Sequence, residues 1–331
     1  MHWKVKAHML ATLSRVPGGR RLYHTLQSWL GTYRLDADEE LSRSLEMVAM
    51  IRAAGRDIED AVVLEIGTGW RPFLPLLLGL LAAKRVITID VNPWLNHKYA
   101  FEAYHALGER LGTIAKQVPA DPAVLAARYE ATRVEATDLA GLLRAFRVEY
   151  VYPADARATG LPDRSIDFVC SSNVLEHVPP DVLREIHRES LRVLRPGGLA
   201  VHRFDTSDHF SRVDRSISSV NFLRYSPKQW WWYGGSGLAY QNRLRGVQQH
   251  RLLEEAGFTV VGYTVRSDQD ALCAVQGGKV PVHQDFARFT PEELTGIYVW
   301  LTAMAPAEIR RDQVAEPAIQ AAVEPADTRV R

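Results

Sequence analysis

Cysteine is nearly absent: the 331 residues hold only Cys170 and Cys273. Two thiols make no disulfide framework, and Cys170 falls in a run that reads as a buried strand, so a reducing cytoplasm is expected. Long apolar runs are missing as well. The longest uncharged one, Pro72 to Ala83, is far short of the ~20 residues a membrane span needs. The amino terminus has no continuous apolar core ahead of a small-residue cleavage site, so no signal peptide is expected. A global charge is lacking: 40 Lys and Arg stand against 39 Asp and Glu, which gives no reason to expect a nucleic-acid partner. Acidic residues are absent from 1–35, a stretch carrying Lys4, Lys6, Arg15, Arg20, Arg21 and Arg34. The histidines and acids of 202–209 lack the spacing of a zinc site, and no metal is expected.

What is present centres on residues 61–71, AVVLEIGTGWR. A short, β-branched apolar run bounded by glycines reads as a buried parallel strand ending in a tight loop. Pro72 suits the first turn of a following helix, and Leu74, Leu76, Leu77, Leu78, Leu80 and Leu81 supply its packing surface. Strand, glycine loop and helix start a nucleotide-binding α/β unit, with the ligand at the carboxyl end of the strand. A dinucleotide fingerprint requires a third glycine three residues after the second. Here that position is Pro72, and Glu65 precedes Gly67 and Gly69. The second strand, RVITIDVN over 85–92, ends in Asp90, placed where a carboxylate can accept hydrogen bonds from both ribose hydroxyls.

In chain order, helical spacing predicts helices over about 3–14, 19–31 and 38–54. The basic amino-terminal pair has two readings: a cap on the core domain, or an amphipathic contact with the anionic inner face of a membrane. Residues 94–147 read as several helices, one capped by Asp121 with Pro122 first and one opened by Thr137. Strands follow at 147–156, within 161–178, and from Leu199 to Phe204. Residues 205–245 are dense in His, Arg and aromatic side chains, including Trp230, Trp231 and Trp232. A helix from Arg243 to Ala256, a sixth strand in FTVVGYTV and an antiparallel seventh from Ile297 to Met304 complete the pattern. The tail from about 306 has the composition of a disordered segment. This gives a helical cap over 1–57, a domain over 58–305 with a helical insertion near 112–146, and a tail over 306–331.

Acid-x-Gly-x-Gly at the first strand end, Asp155-Ala156, Leu161-Pro162-Asp163, Ile166-Asp167-Phe168-Val169, NVLEHV over 173–178 and LRPGG over 194–198 agree in order and spacing with one family. Together they resemble the class I S-adenosylmethionine (SAM)-dependent methyltransferases, in particular the small-molecule group that includes ubiquinone- and menaquinone-pathway enzymes. The resemblance implies an α/β fold, a doubly wound, seven-stranded, mainly parallel Rossmann-like sheet. It implies SAM as cofactor: Glu65 and the Gly67–Gly69 loop at the methionine end, Asp90 on the ribose, Val91 packed on the adenine. Asp155 would take the adenine amino group, Ala156 would offer its N–H to the ring, and the backbone of Asn173 would lie near the amino-acid moiety. One departure is Arg71, where such loops often carry a third glycine.

Methyl transfer to a hydroxyl benefits from a base, and histidine suits neutral pH. His177, His202, His209 and His250 lie near strand ends or in following loops. His209, with Asp205 and Asp208 beside it in sequence, is the first candidate, and His177 has a packing role under the cofactor as its alternative. The Trp230–Trp232 run either stacks on a ring-shaped acceptor or covers an apolar mouth. The segment DHFSRVDRSISSVNFLRYS over 208–226 is similar to methyltransferases of bacterial polysaccharide clusters, which implies a saccharide or surface-glycan acceptor methylated at oxygen. Two other readings are an aminopropyltransferase on the same fold and a non-catalytic SAM-binding module. Nothing in the sequence fixes an oligomeric state.

Overall fold

A computed structural model describes residues 1–19, 22–23, 36–235 and 237–307. The helix expected over 19–31 and the tail from about 306 fall largely outside the described residues. Short apolar runs closed by turn residues become β1 (Val62–Ile66), β2 (Arg85–Ile89), β3 (Val148–Val151), β4 (Ile166–Ser172), β5 (Leu194–Asp205), β6 (Thr259–Ser267) and β7 (Gly296–Met304). They form one sheet in the order β3-β2-β1-β4-β5-β7-β6. Every pairing is parallel except those of β7, which runs antiparallel to both β5 and β6. The chain reverses its strand order between β1 and β4, and in such sheets that crevice, at the carboxyl ends, is where a ligand sits.

Helices cover both faces because the inner strands are apolar on both. On one face Val63, Val86, Phe168 and Val201 pack under α2 (Ala37–Ala53), α3 (Phe73–Leu80) and α4 (His97–Gly108). The insertion continues as α5 (Leu111–Gln117), α6 (Pro122–Thr132) and α7 (Leu139–Ala145). On the other face Leu64, Ile87, Val169 and Ala200 pack under α8 (Pro180–Val193) and, later in the chain, α10 (Gly246–Glu255). A third apolar cluster lies beyond β5. There α1 (Trp3–Arg15) buries Trp3, Ala7 and Leu10 against Phe210, Phe222 and Trp230, the last on α9 (Pro227–Gly234). Trp3 lies 4.9 Å from Tyr233 and 5.6 Å from Phe210, ring centroid to centroid, and its backbone N–H donates to Asp214. Helices α11 (Gln269–Gln276) and α12 (Pro291–Thr295) add Ala271 and Leu294 to this cluster. Among the described residues, no helix is long and apolar enough to cross a membrane.

Some boundaries differ from the sequence expectations. Helix α7 is opened by Asp138, whose carboxylate accepts from the Gly141 N–H at 2.7 Å, and not by Thr137. Asp121 does cap α6 with Pro122 first, as its short carboxylate favours. Strand β3 stops at Val151, since Pro153 has no N–H to give to a ladder. Strand β5 starts at Leu194, five residues before Leu199, and absorbs the Pro-Gly-Gly turn as a shift in register between Ile166 and Phe168.

Candidate active site

The loop after β1 owes its shape to two left-handed residues. Gly67 has φ +85°, and a β-carbon there would meet the Val174 side chain at 2.5 Å. Gly69 has φ +65° with nothing within 4 Å of the space a β-carbon would fill. Its N–H donates to Asp90 Oδ2 at 3.0 Å, and Asp90 Oδ1 accepts from the Asn92 N–H at 2.9 Å. Asp90 therefore fixes the loop while leaving acceptor capacity for a ligand. Burial raises its pKa, and the backbone N–H groups of Asn92, Gly69 and Val91 work against that. Glu65 is 6% exposed, accepts from Thr88 Oγ1 at 2.5 Å, and is pushed up to about 8 by burial, aided by the Asp90 and Glu40 carboxylates.

Two cavities meet at this loop and share Gly67, Gly69, Trp70, Asn173 and Val174. The larger, about 630 Å³, is lined by Asp90, Val91, Trp94, Asp155, Ala156, His177, Leu238 and Tyr240 among others. The smaller, about 340 Å³, is walled by Glu65, Thr68, Arg71 and, from α2, Glu40 and Arg43. The residues expected for SAM are thus brought together around one continuous space. Val91 is 67% exposed on its rim and Ala156 is 9% exposed in its wall. The Asp155 carboxylate is paired with Arg157 at 2.7 Å, which holds its pKa down. Asn173 has φ +56° and accepts from Arg203 Nη1 at 2.5 Å.

Sequence reasoning missed the contribution of α2. Glu40 and Arg43 pair at 2.6 Å, and burial raises the Glu40 pKa against the pull of Arg43 and Arg71. Arg71 is 9% exposed, pairs with Glu102 at 3.4 Å and lies 4.7 Å over the Tyr99 ring. The residue in place of a third glycine is therefore a wall of the smaller cavity. Farther along α2, Glu46 Oε2 accepts from Arg203 Nε at 3.0 Å and from Trp300 Nε1 at 2.8 Å. The helix is in this way tied to β5 and β7.

Beyond β4 and β5 lies a polar cluster. Glu176 is 1% exposed, its Oε1 accepts from the Asp205 N–H at 3.3 Å, and burial pushes its pKa up to about 7. The ring of His177 lies 5.0 Å from that of His209. His177 Nδ1–H donates to the Tyr240 carbonyl at 2.8 Å. The His177 side chain stays exposed, and the protein packed around part of its ring, together with His209, lowers its pKa. Burial lowers the pKa of His209 too, against Glu176 and Asp208. Asp205, expected as a partner in catalysis, is 1% exposed and its carboxylate is engaged by Arg212 and Ser207. Its Oδ1 lies 3.7 Å from His209 Nε2. Glu176, His177 and His209 each bring one ligand atom within 4.8 Å of the others, a grouping that no local spacing in the sequence displays.

Other candidates fall away from the cleft. His202 is wholly buried in β5, with Nδ1 2.8 Å from Ser171 Oγ and its ring 5.6 Å from His187. His250 stacks on Tyr263. Trp230 is buried in the third cluster, while Trp231 and Trp232 are over half exposed. The aromatic side chain lining the cleft from this segment is Tyr240.

A family model described as a methyltransferase domain matches residues 35–263. The chain belongs to that family. The methyltransferase uses SAM as its cofactor, and the open space at Gly69 beside the Asp90 carboxylate suits a ribose approaching the backbone. No curated protein matches the chain. Among solved structures, a SAM-dependent methyltransferase from Methanosarcina mazei is 17% identical, covers 76% of this chain and 94% of its own, and has a TM-score of 0.41. One from Mesorhizobium loti is 18% identical, with coverages of 77% and 95% and a TM-score of 0.42.

Proposed function

We propose that the methyltransferase methylates an oxygen of a small-molecule acceptor entering the larger cavity, and that a saccharide or surface-glycan intermediate is the acceptor class. The observation that carries this reading is the Glu176–His177–His209 cluster opening on the cleft through His177. A hydroxyl must lose its proton to become an effective nucleophile, and His177 and His209 place two imidazoles, a group type that can take a proton, together at the edge of the cleft. SAM, when bound, supplies an electrophilic methyl on a positively charged sulfur. The chain's own work is alignment, which is worth up to ~7–11 kcal/mol in well-oriented systems. With SAM bound, Asp90, Glu65 and the Gly67–Gly69 loop would position it, Val91 would pack on the adenine, Ala156 would offer its N–H to the ring, and Asp155 would offer the adenine amino group the lone pairs Arg157 leaves free. Tyr240 and Leu238 give the cleft the mixed apolar and polar wall that a ring-shaped polar acceptor requires.

The resemblance to ubiquinone- and menaquinone-pathway enzymes supports a small acceptor, and that to polysaccharide-cluster enzymes supports the saccharide. An aminopropyltransferase would need a run of acids for a polyamine, whereas this wall presents His177 and Tyr240. Helix α1 is read as a cap, because its apolar face is already occupied by the third cluster. Liposome sedimentation independent of anionic lipid fits that reading, and salt-sensitive sedimentation with anionic lipid supports the membrane contact instead. The acceptor test uses SAM carrying a ¹³C methyl, incubated with the protein and an extract from cells lacking it. A labelled methyl with the carbon shift of an ether is expected. Label on nitrogen or carbon, or no transfer despite SAM binding, refutes the oxygen reading.

A further inference from the structure

We infer that Glu176, His177 and His209 form a binding site for a divalent first-row cation of the zinc type at the edge of the cleft. Their ligand atoms lie within 4.8 Å of one another. Ligands ~2.1 Å from a common centre stand about 3.4 Å apart in tetrahedral geometry, a closure within reach of small side-chain rotations. Two of the three are buried and without a partner: Glu176 Oε2 and His209 Nε2 make no hydrogen bond. Such groups are costly to bury bare, and an ion bound by both removes that cost.

The surroundings have the features of a metal centre's outer shell. His177 Nδ1–H is held by the Tyr240 carbonyl, which orients the ring and leaves Nε2 as its ligating atom. Glu176 Oε1 is held by the Asp205 N–H. Asp205 itself is neutralised by Arg212, so that arginine is already occupied. Two imidazoles and one carboxylate form the donor set of several catalytic zinc sites, which keep further positions open. Here the open side is the cleft, since His177 lines it.

The role assigned to the ion rests on the oxygen-acceptor reading above; the binding site does not, and with the ion bound the imidazoles serve as its ligands in place of acting as bases. A dication with one carboxylate and one alkoxide is electrically neutral, which favours ionisation of a bound hydroxyl. The hydroxyl proton passes to water, the freed oxygen pair forms the O–CH₃ bond, and the S–CH₃ pair returns to sulfur as a neutral thioether. Nothing is oxidised or reduced.

The test uses the full chain, stripped with chelator and titrated with Co²⁺ by visible absorption, with SAM affinity measured in parallel. The expected result is one equivalent of Co²⁺ displaced by Zn²⁺, with bands of four- or five-coordinate cobalt. Glu176→Gln and His209→Ala should each weaken Co²⁺ at least tenfold and leave SAM affinity within threefold, and His250→Ala should leave Co²⁺ binding as it is. SAM binding reports that each variant is folded, and His209→Asn serves if His209→Ala is not. No stoichiometric Co²⁺ in a protein that binds SAM overturns the site, as does equal Co²⁺ affinity in the Glu176 and His209 variants. Methyl transfer to oxygen by the ion-free protein overturns the ion's role and leaves the acceptor reading intact. A bound ion with label on nitrogen overturns the acceptor reading and leaves the site.

Discussion

Replacing Glu65 by Gln should make the methyltransferase less sensitive to alkaline pH. Burial raises the Glu65 pKa from 4.5 to about 8, so the folded chain binds this proton more tightly than the unfolded one. For a carboxyl shifted upward, the native state holds the extra proton between the two pKa values, and stability falls as pH rises through that window. Between pH 7 and pH 9 the remaining loss works out at about 1.4 kcal/mol, taking 1.36 kcal/mol per pKa unit. Glutamine keeps the shape and the acceptor for the Thr88 hydroxyl but has no proton to lose. Glu176, at about 7, and Asp208, at about 6, lose stability in the same direction, but they do so equally in both proteins and cancel in the double difference. Urea unfolding at pH 7 and pH 9, without SAM, measures it directly. A double difference near zero, with unchanged m-values, refutes the claim that Glu65 is protonated at neutral pH.

Asp90→Ala removes the acceptor for Gly69 and Asn92 and should weaken SAM by roughly 1–3 kcal/mol in calorimetry. Gly67→Ala puts a β-carbon against Val174 at φ +85°. It should lower stability by about 1–3 kcal/mol in urea unfolding, and adding Val174→Ala should recover only the steric part. Trp3→Ala empties a 3%-exposed site in the third cluster and should cost roughly 3 kcal/mol of stability, with SAM affinity unaffected. Tyr240→Ala, at the cleft wall, should raise the acceptor KM more than it lowers kcat once an acceptor is known.

The strand-end residues that line the candidate cleft were legible because each ends a strand or follows one closely. A β-branched run followed by Gly67, Asp90 or Asn173 states both the strand and the point where it stops, and parallel strands bring those points to one edge. The rest was hidden for identifiable reasons. Glu40 and Arg43 look like an ordinary solvated helix pair, and only the tertiary position of α2 makes them a cavity wall. Glu176 and His177 leave β4 while His209 follows β5, so no local spacing announces the cluster. The tryptophan run misled by its composition: on α9 the helical turn sends Trp230 into the core and Trp231 outward.

One oxygen of Glu46 takes hydrogen bonds from both Arg203 and Trp300. That carboxylate ties α2, whose Glu40 and Arg43 wall the smaller cavity, to the sheet. Glu46 is about a third exposed, so the two charged hydrogen bonds sit at the low end of their range, roughly 3 kcal/mol together. A change at Trp300 in β7 therefore reaches the helix that walls the smaller cavity as directly as a change in α2 itself. Glu46→Gln, which keeps the acceptor and loses the charge, should weaken that tie, read as faster amide hydrogen exchange along α2.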